Sequence, residues 1–161
     1  MPRMQFIDTW GDPESGQLVF FTPEVLTVFK RFIQGDNDAE AGGLLLGHVR
    51  DIHLEILEAT TPTPMDRRFK YLFERLPFGH CVIANRRWNA SKGLIRYVGE
   101  WHTHPQDHPI PSNTDIYEWG KLTRHRLDGR PSLVVIVGRK DLRVEVMYPN
   151  RTRQRLFPVQ S

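Results

Sequence analysis

The stretch Gly99-Glu100-Trp101-His102-Thr103-His104-Pro105, followed after a proline-rich loop by Ser112-Asn113-Thr114-Asp115, organises the reading of this chain. Residues 94–101 have strand composition. Side chains two apart on a strand point to one face, about 6.5–7 Å apart at Cα. His102 and His104 are therefore neighbours whose imidazoles can converge on one ion, for which zinc is the usual choice. Taken alone, His-x-His is as often structural as metal-binding. Trp101 points to the opposite face and reads as packing. The loop after His104 is stiffened by Pro105, Pro109 and Pro111 and can fold the next helix start back over the strand end. Ser112-x-x-Asp115 has the pattern of a capping box, with an acid in the first helical turn. The same placement lets Asp115 serve as a third ligand. Two histidines and one carboxylate leave a fourth position open, as in catalytic zinc sites. Hydrolysis then needs a base. Glu100 shares the strand face of the histidines. Glu40 stands at the mouth of the apolar segment 41–49, where Gly42 and Gly43 permit close backbone approach. The residue pattern leaves both open.

Working outward, the spacing predicts a strand over 17–22 and a helix from Thr22-Pro23-Glu24 to about Gln34, with a Thr cap and Pro in the first turn. Val25, Val28, Phe29 and Phe32 recur at helical spacing as its inward face. Residues 41–49 read as a buried strand and 52–60 as its hairpin partner. Residues 76–90 read as a helix with Val82, Ile83 and Trp88 as candidate core. A second helix opens at Ser112 and runs to about Leu127. Strands follow over 132–137 and 143–147, joined by a tight turn near Lys140-Asp141. Strands alternating with helices indicate a mixed α/β layer fold. The length of 161 residues suits one domain, 1–161, in which Gly11, Asp12, Pro13 and Gly16 mark residues 1–16 as an irregular arm.

Composition narrows the class. Hydrophobic residues make up 39% and charged residues 25%, which excludes wholesale disorder. No apolar run reaches the roughly 18–20 residues of a membrane span, and no signal-peptide core follows Met1. The single cysteine, Cys81, excludes an intrachain disulfide framework and suits a reducing cytoplasm; it reads as inert and buried. Lys and Arg total 22 against 19 Asp and Glu, a net charge of +3 that is too small to argue for nucleic acid. The arginine clusters Arg67-Arg68, Arg86-Arg87 and Arg151-Thr152-Arg153-Gln154-Arg155 read as solvated faces, and His108 as an exposed loop histidine.

His102-x-His104, seven residues, Ser112-x-x-Asp115, and an upstream Glu40 before Gly43-Leu44-Leu45-Leu46-Gly47 together resemble the JAMM (JAB/MPN+) metalloprotease motif. Thr103 occupies a slot where that family has Ser or Thr, Pro105 follows as usual, and Gly99 fits the family's strand. The resemblance spans roughly Val19 to Tyr148. It implies a cytidine-deaminase-like α/β fold, a mixed β-sheet flanked by helices. It implies zinc (Zn2+) held by His102, His104 and Asp115, with Glu40 as the acid/base and Ser112 stabilising the tetrahedral intermediate. The resemblance, not the spacing, moves the choice of base from Glu100 to Glu40. The compact length and the wording of residues 99–105 are similar to small bacterial JAB-domain deconjugases. Those are encoded beside ubiquitin-activating-like and conjugating-like enzymes in antiphage CBASS operons. The role implied is release of a cGAS-like nucleotidyltransferase joined through its C-terminus to a target amine; Asp66-Arg67-Arg68 agrees with that branch. Residues 61–71, which depart from regular structure right after a strand, are then the candidate for one wall of a channel for an extended tail, taken up by β-addition. RadC-type nucleic-acid-associated proteins share the motif, and a peptidase for a ubiquitin-like sulfur carrier needs the same chemistry. A non-catalytic MPN scaffold lacks these ligands. A zinc deaminase requires His-x-Glu with Pro-Cys-x-x-Cys, which is missing from the sequence.

Overall fold

The computed structural model describes residues 6–62, 67–68, 73–74 and 77–159, with backbone alone for those among 67–81. The elements run β1 (Thr9–Gly11), β2 (Leu18–Phe21), α1 (Pro23–Arg31), β3 (Gly42–Arg50), β4 (His53–Ala59), β5 (Arg67–Arg68), β6 (Phe73–Glu74), α2 (Pro77–Ala90), β7 (Arg96–Thr103), α3 (Asn113–Arg124), β8 (Ser132–Val137), β9 (Leu142–Met147) and β10 (Arg153–Pro158). Among the described residues no helix is long and apolar enough to cross a membrane.

The sheet is mixed, as expected: β2 runs parallel to β4 and β7 parallel to β8, while the other pairings are antiparallel. It does not stay an open layer flanked by helices. It closes into a barrel in the order β1-β10-β9-β8-β7-β3-β4-β2. Two strands not expected from the sequence make the closure. Thr9–Gly11, inside the stretch read as an irregular arm, pairs with β2 and, at Trp10↔Pro158, with the C-terminal β10. Both give weak local signals. β1 has three residues, and in β10 only Leu156 is fully buried. Their pairing joins the two ends of the described chain, a contact that periodicity cannot register.

Alternation along the strands sorts side chains into two clusters. Leu133, Val135 and Val137 of β8 face the barrel interior with Trp10, Val19, Phe21, Leu45, Ile56, Trp101, Val144 and Leu156. Val25 and Phe29 of α1 fill the same interior; the Phe29 ring lies 5.7 Å from Phe21 and 5.4 Å from Trp101. Each such fully buried side chain contributes about 1.5–3 kcal/mol relative to exposure. The other face of β8, Val134 and Ile136, packs outside the barrel against Met147 and Trp119 of α3. Buried on both faces, β8 reads as a continuous apolar run.

Three local expectations are corrected. Thr22 is at the N-cap of α1, but its hydroxyl makes no capping bond and is buried without a partner. Trp88 is 48% exposed and not core. Its indole lies over the turn at the end of α2, 3.1 Å from where a Cβ on Gly93 would stand. In the stretch 61–71, read as leaving regular structure, Arg67–Arg68 pairs antiparallel with Phe73–Glu74. Residues 63–66 and 69–72, and the side chain of Cys81, lie outside the described residues.

Candidate metal centre

The site forms on the outer face of the barrel where β7 ends. Trp101 and Thr103 point inward and are buried. His102 and His104 alternate outward, with the His102 ring 6.2 Å from that of Trp119 on α3. The chain then turns back. His104 N–H donates to Val137 O, while Arg139 and Lys140 donate from their amides to the carbonyls of Gln106 and Asp107. These bonds seat the proline loop on the β8–β9 turn so closely that a Cβ on Gly138 would stand 2.4 Å from Pro109. Thus held, the loop delivers the start of α3 to the histidines.

The α3 start is a capping box whose acidic member also faces the histidines. Asp115 N–H donates to Ser112 Oγ at 3.1 Å, and Ser112 N–H donates to Asp115 Oδ2 at 2.8 Å. The Asp115 carboxylate also reaches both imidazoles: Oδ1 is 3.3 Å from His102 Nε2 and Oδ2 is 3.2 Å from His104 Nε2. The two Nε2 atoms are 3.1 Å apart. Burial pushes the Asp115 carboxyl upward, but the hydrogen bonds from His102 and His104 outweigh it and hold the group well below the usual carboxylate range.

Glu40 arrives from the other side. β3 and β7 pair at Gly42↔His102 and Gly43↔Trp101. The same register continued two residues outward puts Glu40 opposite His104, on the face of the histidines. Its Oε1 is 3.8 Å from His104 Nε2, and the residue is 3% exposed. Burial raises its carboxyl to about 8, with His104 opposing and Asp115 adding to the shift. Close passage of β3 depends on Gly43, where a Cβ would lie 2.1 Å from the Thr60 carbonyl oxygen.

One ligand atom each from Glu40, His102 and His104 lies within 4.8 Å of the others, a grouping compatible with a metal ion. Glu100 is not part of that grouping; it pairs with Leu44 and Val134, farther down β7. Sequence reasoning missed Gln106. Its Oε1 is 3.2 Å from His104 Nδ1 and accepts from Ile110 N–H at 3.1 Å. This holds the His104 ring with Nε2 toward the site and ties it to the proline loop, the kind of outer contact that orients metal-ligating histidines. A short polar side chain two residues past His104 was the available signal. His108, expected to be exposed, is so, and pairs with Asp141 at 2.9 Å.

The model of a family described as prokaryotic homologs of the JAB domain matches residues 22–154, which include all of these groups. The chain belongs to the prokaryotic JAB-domain family. Curated relatives of this JAB domain include a "CD-NTase/cGAS isopeptidase" of Pseudomonas aeruginosa, 51% identical over 89% of this chain and 92% of that protein. Proteins of the same name from Escherichia coli and Vibrio cholerae are 40% and 37% identical, each aligned over 64% of its own length. In fold, the chain is similar to a solution structure of a Desulfitobacterium hafniense protein. That match has a TM-score of 0.58 at 13% identity and covers 85% of this chain and 88% of that one.

Proposed function

We propose that this JAB domain is a zinc-dependent isopeptidase that removes a CD-NTase/cGAS-like nucleotidyltransferase from the amine to which its C-terminus is joined. The observation that carries the reading is the convergence of three side chains, two imidazoles and one carboxylate, on one point. Zinc bonds of about 2.0–2.1 Å at tetrahedral angles separate donors by about 3.3 Å. His102 Nε2 and His104 Nε2 are 3.1 Å apart, with Asp115 Oδ1 3.3 Å from the first and Asp115 Oδ2 3.2 Å from the second, so the carboxylate can turn either oxygen to a shared ion. Glu40, at 3.8 Å from His104, stands beyond that tetrahedron and is assigned as the base.

When bound, zinc polarises the scissile carbonyl and lowers the pKa of water. Glu40 takes a proton from the attacking water and passes it to the leaving nitrogen. The amide is thereby exchanged for a free C-terminal carboxylate and a target amine. Ser112 Oγ accepts from Asp115 N–H, so its own proton is free to be donated to the developing oxyanion. Among the described residues the barrel ladder closes on itself, and the β5–β6 pair is assigned as the edge that takes an extended tail by β-addition. The names of the relatives support the substrate class, and their coverage of this chain does not favour a RadC-type or sulfur-carrier role. The same reading includes the cytidine-deaminase-like architecture, a cytoplasmic location, and a ubiquitin-activating/conjugating-like enzyme system that makes the conjugate.

The test is to incubate the zinc-loaded protein with a nucleotidyltransferase conjugate and, separately, with single-stranded and branched DNA. Chelator-sensitive release of the nucleotidyltransferase is expected. No release from any conjugate, with tight salt-sensitive DNA binding, overturns the reading.

A further inference from the structure

We infer that Thr103 is a positioning residue for Glu40: its hydroxyl latches the backbone beside Glu40 and keeps that carboxylate opposite the histidines. The inference rests on the isopeptidase reading above. Thr103 stands between His102 and His104, yet faces the other way and is fully buried. Its hydroxyl accepts from Ala41 N–H at 2.9 Å and donates to Gln34 Oε1 at 3.1 Å. Its own amide donates to Ala41 O at 2.9 Å. Ala41 is therefore gripped at both of its backbone polar groups by one residue.

The place of this grip matters. The regular β3–β7 ladder begins at Gly42↔His102, and Glu40 lies outside it in a stretch without helix or strand. Between ladder and base stands Ala41, whose N–H is bonded by a side-chain hydroxyl where a continued ladder would supply a carbonyl. The rest of the approach is secured through Gln34, also fully buried. Gln34 Nε2 donates to Asp38 O at 2.9 Å, and Gln34 O accepts from Arg139 Nε at 3.2 Å. Arg139 in addition pairs with Asp36. The segment 34–41 is thus pinned to the end of β7 by Thr103 and to the β8–β9 turn by Arg139. One hydroxyl, accepting on one side and donating on the other, joins the strand that carries the ligands to the loop that carries the base. Valine has the shape of threonine and can do neither; serine can do both.

Three variants test this: Thr103→Val, Thr103→Ser and Gln34→Met. The measurements are zinc per chain, kcat and KM on the conjugate, and hydrogen exchange at the Ala41 amide with and without zinc. Thr103→Val is expected to keep about one zinc and a KM within about twofold. Its kcat is expected to fall about 10–10²-fold, the scale of a displacement near 1 Å at a catalytic group. Exchange at Ala41 should accelerate at least tenfold with Leu45 unchanged, and Thr103→Ser should restore both rates. Wild-type kcat in Thr103→Val overturns the inference, as does a loss that serine fails to rescue or that accompanies loss of zinc. If Thr103→Val does not fold, Gln34→Met carries the same expectation, a lower kcat at unchanged KM and zinc content, and wild-type kcat there overturns it. Should the wild type release nothing from any conjugate, the isopeptidase reading falls, while exchange at Ala41 still decides whether Thr103 holds the latch.

Discussion

Ser112 is assigned two jobs that a pair of substitutions separates. As N-cap of α3 its Oγ accepts from Asp115 N–H at 3.1 Å. In Ser112→Ala that exposed amide turns to water, at a cost of about 1 kcal/mol. For a domain of this size this lowers Tm by roughly 2–4 °C. Glycine at an N-cap costs only a few tenths of a kcal/mol, so Ser112→Gly should melt close to wild type. The second job is hydroxyl donation to the oxyanion, which both substitutions abolish. Loss of one such donor costs about 2.7–4 kcal/mol, a 10²–10³-fold fall in kcat. Neither substitution should release zinc, because the Asp115 carboxylate is also held by the backbone N–H of residue 112, at 2.8 Å in the wild type. Calorimetry, metal analysis and single-turnover release of a conjugate are the assays. Alanine and glycine should then differ in Tm and agree in rate. If Ser112→Gly cleaves near the wild-type rate while Ser112→Ala is slow, activity follows the cap, and the oxyanion role is wrong.

Glu40→Gln should retain zinc and lower hydrolysis by 10²–10⁴-fold, the range for losing a general base, whereas Glu100→Gln should stay within a few-fold; the reverse order in conjugate cleavage would exchange the assignments. The double variant His102→Ala with His104→Ala should bind no zinc by metal analysis, and full occupancy would refute the ligand set. Gly43→Ala forces a methyl group to within 2.1 Å of the Thr60 carbonyl oxygen, so about 1–3 kcal/mol of stability should be lost in denaturant unfolding. Arg126, 5% exposed at its side chain, donates to the carbonyls of Tyr97, Val98 and Pro131; Arg126→Met should cost about 2–3 kcal/mol in the same assay, and a neutral result would refute its structural role. Burial raises the Asp128 carboxyl, but the hydrogen bonds from Arg126 and the Arg130 amide, with the two guanidinium charges, together outweigh this and hold the group below its ordinary value of 3.8. Its contribution to stability is therefore present above that pH and should fade below it in acid titrations of the wild type, but not of Asp128→Asn.

Most of the candidate site's placement was legible because it is local. His102 and His104 share a face through the period-two alternation of a strand, and Ser112 and Asp115 meet within one helical turn. The inward strands and the helical face of α1 followed from the same periodicities. Glu40 is a different case: residue pattern alone left it level with Glu100, and family resemblance chose between them. In space Glu40 is brought beside His104 by the β3–β7 register, which starts at Gly42 and His102, and by the bond between Ala41 and Thr103, 62 residues apart in sequence. Gln34, Thr103 and Arg139 likewise join three segments that no local pattern links. Barrel closure is the widest case, since β1 and β10 meet from opposite ends of the described chain. Local sterics and alternation are written into neighbouring residues and can be read there. Strand register, closure and the approach of a buried carboxylate to its histidines depend on distant backbones meeting, and they come into being only when the sheet folds on itself.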